Sequence, residues 1–156
     1  MRDHRSIASD AVKLVRPSID QLFTITNRQQ LHIVIMNPCL KPWEASFEQA
    51  VLYQTSIGNP SEWTIPFDEY ALEKAKQAWR DNKPNIVKQV IHPSSLCQSD
   101  LLFYGSFVYG DIVVACSGVE QWFDMLISGW IAVAFEQLSI HEYQHQKKQS
   151  PTLTHR

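Results

Sequence analysis

A chain of 156 residues is the size of one domain, and a composition of 44% hydrophobic and 19% charged residues supplies a core and excludes global disorder. The formal net charge of −2, with Lys and Arg scattered along the chain, leaves no basic stripe for nucleic acid. The three cysteines, Cys39, Cys97 and Cys116, form no C-x-x-C pair, and their odd number fits a disulfide framework poorly; they read as reduced thiols.

In chain order, residues 6–26 carry apolar side chains at Ile7, Ala11, Leu14, Val15, Ile19, Leu22 and Phe23, the spacing of an amphipathic helix. Pro17 is expected to kink that helix or to open a second one. LHIVIMN (31–37) is a β-branched run stopped by Pro38 and is expected to be a strand, KPWEAS a turn, and FEQAVLYQT (47–55) a second strand. Residues 56–66 hold Gly58, Pro60 and Pro66 and read as a loop. Asp68 opens a helix over 68–82, with acids in the first turn and bases later, as the helix dipole favours. Ala71, Ala75, Ala78 and Trp79 share one face of it, small enough for close packing on a sheet. Residues 86–98 read as a strand or short helix and then a loop.

Residues 100–118 form two apolar runs around Tyr109-Gly110-Asp111, the pattern of a β-hairpin. Residues 120–145 read as a last helix, apolar up to Leu138, lying on the sheet or in a subunit interface. The expected product is one α+β domain over 1–140, an antiparallel sheet flanked by helices, with a polar, frayed tail over 141–156. The first ten residues are charged and lack an apolar h-region, and the longest apolar run, MLISGWIAVAF, has 11 residues against the ~20 of a membrane span. A cytoplasmic protein without a membrane anchor is expected.

The chemistry candidates are few. HEYQH (141–145) matches H-E-x-x-H, in which His141 and His145 on one helical face would bind zinc and Glu142 would polarise a water. The extended form of that motif requires Gly where this chain has Lys148, and His where it has Pro151. A solvated helix end is the plainer reading. Cys116 stands at a strand end just before a helix, where a thiolate gains stability; it reads equally as a buried strand residue. Ser117 and Gly118 open that helix and offer free backbone N–H groups to a carboxylate or phosphate, or simply cap the helix. His32 alternates with apolar neighbours and faces either solvent or a pocket.

ALEKAKQAW (71–79) resembles the A-x-x-K-A-x-x-A helix of GlcG/HbpS-like proteins, a family that includes the C-terminal domain of PduO-type proteins. SGVEQWFD (117–124) is similar to that family's S-G-G-x-x-x-x-D segment, with Ser117, Gly118 and Asp124 in register. Gly105-Ser106 stands where the family has Gly-Gly-x-Pro. The resemblance spans roughly residues 8–138. It implies a profilin-like α+β domain that forms homo-oligomers and, in some members, binds haem. It also implies a non-enzymatic small-ligand or assembly domain, its ligand near Cys116, Ser117 and Gly118 with Lys74 pairing an anionic group. The alternative is a zinc-dependent hydrolase using His141, Glu142 and His145.

Overall fold

A computed structural model describes residues 2–149 of the chain. The elements run α1 (His4–Thr26), β1 (Leu31–Met36), α2 (Phe47–Ala50), β2 (Val51–Ile57), α3 (Phe67–Asp81), β3 (Ser106–Tyr109), β4 (Ile112–Ser117) and α4 (Gln121–Gln149). The strands form one antiparallel sheet in the order β2-β1-β4-β3. The fold is therefore α+β, with α1 and α4 on one face of the sheet and α3 on the other.

Period-two alternation sorts the central strands between two cores. Leu31, Ile33 and Ile35 of β1 join Ile112, Val114 and Cys116 of β4 under α1 and α4. Val34, Met36, Val113 and Ala115 face the alanines of α3. Both faces are covered, so β1 and β4 are buried at every position and their sequences show no polar alternation.

Local chemistry sets the element boundaries. Asp3 caps α1 by accepting from the Ser6 N–H, and the helix runs unbroken through Pro17. Pro17 therefore starts no second helix; it is exposed, and the residues around it, Val15 and Ile19, are anchored in the core. Leu14, assigned by its spacing to the core side, is 63% exposed. Residues 47–50 begin as a helical turn rather than a strand. Ser46 and Gln49 form a reciprocal capping box there, which satisfies the backbone before β2 starts. The hairpin turns on Gly110-Asp111, with positive φ at Gly110 alone, as a type II′ turn requires. Its first strand begins only at Ser106; residues 87–95 form short π- and 3-10-helical turns instead.

Both sheet edges are terminated by side chains. Asn85 bonds β3 twice: its Oδ1 accepts the Ser106 N–H at 3.0 Å, and its own N–H donates to the Ser106 hydroxyl at 2.9 Å. On the other edge, β2 bulges at Leu52, whose carbonyl accepts from Arg5 at 3.4 Å.

α1 and α4 lie antiparallel. The Arg2 N–H donates to Glu142 and His4 meets Phe135 at one end, while Arg28 pairs with Glu120 at the other. α4 continues as helix through Gln149, so residues 141–149 extend the last helix instead of fraying. The rest of the expected tail, 150–156, lies outside the described residues.

Candidate functional site

The residues singled out by the sequence come together, but as a closed structural knot. Lys74 sits on α3 at the third position after Ala71 and the fourth before Ala78, on the buried face, and is 2% exposed. Neither a solvated position nor a free cation results. Its Nζ donates to the Cys116 carbonyl at 3.0 Å and reaches the Asp124 carboxylate at 3.4 Å. Asp124, in the first turn of α4, is 1% exposed and also accepts the Val119 N–H at 3.0 Å. Burial outweighs the attraction in both partners. It lowers the Lys74 ammonium below the ordinary lysine range and raises the Asp124 carboxyl to about 6, against the pull of Lys74.

The backbone around the pair has no slack. A Cβ on Gly105 would lie 2.6 Å from the Cys116 carbonyl and 2.8 Å from Lys74 Nζ. Gly118 adopts φ 150°, and a Cβ there would lie 2.2 Å from the Gln30 carbonyl. Cys116 is fully buried, and that burial pushes its thiol up to about 12, which removes it as a nucleophile at neutral pH. Ser117 is 4% exposed at the end of β4. Lys74, Cys116, Ser117 and Gly118 are thus neighbours whose space is filled by one another and by Asp124. They leave no open space for a haem or an anionic ligand, and Lys74, the cation assigned to such a ligand, is committed to the Cys116 carbonyl and to Asp124.

Alongside lies a buried amide network. Asn85 donates from Nδ2 to the Lys74 carbonyl and to Gln77 Oε1, and Gln77 donates to the Leu101 carbonyl. Arg80 holds Asp100 through two bonds, at 2.7 and 3.2 Å. Together they fasten residues 83–105 over α3.

His32 faces neither solvent nor an open pocket. It is 6% exposed, with Nε2 2.8 Å from Gln54 Oε1 and Nδ1 2.7 Å from the Ser56 hydroxyl. Gln54, a neutral amide, occupies the place where a carboxylate would be needed to hold an imidazolium for base catalysis. At the far end of α4, His141 and His145 are exposed, and Glu142 Oε1 accepts the Arg2 N–H at 3.0 Å. Among the described residues no group of three or more His, Cys, Asp and Glu side chains is placed to hold a metal ion.

The feature not foreseen is a groove of about 880 Å³ between α1 and α4. Leu14, Trp122, Leu126, Trp130 and Val133 line its walls. Phe107 of β3 lies close under Gly129, where a Cβ would meet its ring at 3.1 Å. Leu14, Trp122, Leu126 and Val133 are 63%, 54%, 41% and 38% exposed. α4 is long and apolar enough by composition to cross a membrane, and 33% of its most apolar stretch is buried. Its inner side, with Ile127, Ile131 and Phe135, closes the sheet core; its outer side exposes Trp122, Leu126, Val133, Ile140 and Tyr143.

Comparison with family models, with curated proteins and with solved structures finds no match to this chain.

Proposed function

We propose that this chain is a non-enzymatic assembly domain that binds a protein partner through the apolar face of α1 and α4. One observation carries the reading: α4 is apolar on both sides, and only the inner side is covered. A helix apolar all round is ordinarily buried all round. Monomeric proteins rarely expose a contiguous apolar patch beyond a few hundred Å².

A small apolar ligand in the same groove is the second reading, favoured by a volume within the range of ligand sites. A haem there would find no histidine in the lining and one thioether, that of Met125. The hydrolase reading has less support, because Glu142 is engaged by the Arg2 N–H and no third ligand flanks His141 and His145 among the described residues.

The test is a photo-crosslinking residue placed at Leu126 in the full chain and irradiated in living cells. The expected adduct is a polypeptide, either another protein or a second copy, with none from a control at exposed Gln98. Adducts to lipid or to a small molecule alone would overturn the assembly reading.

A further inference from the structure

We infer that a second site, a polar cleft between the α1–β1 connection and the segment that leads into α3, binds a short neutral saccharide. The cleft holds about 490 Å³, within the range of small-molecule sites. It shares no lining residue with the groove of α1 and α4, and the inference does not depend on the assembly reading.

Two glycines set its walls. Gly58, just after β2, adopts φ 98°, and a Cβ there would lie 2.7 Å from the Gln29 carbonyl oxygen. Gly118 presses in the same way on the Gln30 carbonyl. The backbone of residues 29 and 30 is thus held between two close contacts, which fixes where their side chains start. Beyond Gly58 the chain bends through Asn59 and the 3-10 turn Pro60–Glu62. The Ser61 hydroxyl donates to Asn59 Oδ1 at 2.7 Å there, and the Trp63 N–H donates to the Pro60 carbonyl at 3.1 Å. Trp63 then packs on buried Phe67, with ring centres 5.4 Å apart and planes at 78°. The core therefore holds the indole in the wall of the cleft.

The lining offers hydrogen bonds that the chain itself does not use. Among the described residues, the side chains of Gln29, Gln30, Glu62 and Thr64 make no hydrogen bond or ion pair, and the Asn59 amide nitrogen makes none either. The three amides present donors and acceptors side by side, and the Glu62 carboxylate accepts from two directions. Arg28, the one cation among the described lining residues, is paired with Glu120 at 2.7 Å. The cation's charge is met within the chain and that of Glu62 is not.

A neutral saccharide matches this set. Each of its hydroxyls both donates and accepts, so each can pair with an amide or with Glu62, and the C–H face of a sugar ring can pack on the Trp63 indole. The other ligand classes fit less well. An apolar ligand would bury three amides and a carboxylate without partners. An anion would face the uncompensated Glu62. A compact organic cation would use Glu62 and Trp63 and leave the amides unpaired.

The experiment probes an array of neutral glycans, with maltose, cellobiose, lactose and chitobiose units among them, using the full chain. The isotope-labelled chain is then titrated with the retained saccharide to ~10 mM and followed by NMR. At least one glycan is expected to be retained, and to shift the Trp63 indole signal together with the side-chain amide signals of Gln29, Gln30 and Asn59. Trp63→Ala is expected to weaken binding about tenfold. Glu62→Ala, at an exposed position with no bond to lose, is expected to weaken it by a smaller factor without touching the fold. An array that retains no neutral glycan overturns the inference. So do shifts confined to the indoles of Trp122 and Trp130, which line the apolar groove, or binding unchanged in both variants. Choline chloride that shifts the Trp63 signal where no saccharide does would give the cleft to an organic cation, and overturns it as well. The Leu126 photo-adduct tests the assembly reading separately and is unaffected by any of these results.

Discussion

Two regions of this molecule invert the usual placement of side chains. Around Lys74 and Asp124, charged groups 2% exposed lie at the centre of the fold, each bonded to backbone as well as to the other. Along α1 and α4, Leu14 and Trp122 stand more than half exposed. The first region is complete without another molecule, since every buried side-chain nitrogen and oxygen among the described residues has a hydrogen-bond partner. The second is incomplete in the same sense: one side of a helix is packed and the other is not. Polarity alone does not mark a site. Whether a group's needs are met inside the chain is more informative.

The largest effect expected from breaking this contrast is at the polar knot. Lys74→Met leaves the Asp124 carboxyl buried without its cation and should cost ~3 kcal/mol or more in urea unfolding. Lys74→Met/Asp124→Leu should recover most of that loss, because burial outweighs attraction in both partners. A double variant no more stable than the single one would show that the charges themselves hold the loop at Gly118–Val119.

A pH series sharpens the same point with a smaller effect. Native Asp124 holds its proton to about pH 6, whereas in the unfolded chain the carboxyl ionises near its ordinary value of 3.8. The folded pKa is the raised one, so this contribution to stability is fully present below pH 3.8 and is lost as pH rises through about 6. Asp124→Asn should flatten that part of the stability–pH curve measured by denaturant unfolding. An unchanged slope would assign the dependence to other groups.

The smallest effect on folding is expected at the apolar face. Leu126→Glu/Val133→Glu alters exposed positions and should shift the stability of the folded monomer by no more than ~0.5 kcal/mol per site. A loss in urea unfolding well above that would show that the outer side of α4 is packed within the chain, and would remove the contrast between a completed and an uncompleted region.

Much of the fold was legible because its patterns are local. The alanine face of α3, the β-branched run of β1 and the Gly110 turn each announce themselves within a few residues, and all three occur. The helical start at Phe47 was legible in principle, from Ser46 and Gln49 three apart, but the apolar run behind it suggested a strand. The site was harder. Ala71, Lys74, Ala75 and Ala78 follow helical spacing, so the periodicity that found the alanines also contained the lysine; its charge argued it to the surface. Its partner lies fifty residues away in sequence, and no local pattern connects Lys74 to Asp124. α4 posed the reverse difficulty. With apolar residues on every side, its spacing could not separate the half that meets the sheet from the half that does not.

The side chains at the sheet edges have a consequence for how copies of this chain can accumulate. Arg5 occupies the bulged carbonyl of Leu52 on one margin, and Asn85 occupies Ser106 on the other. An incoming strand would have to displace a bond already made at either margin. Edge-to-edge growth of the four-stranded sheet is therefore disfavoured at both margins, because each new strand must first break a bond that the folded chain has already made.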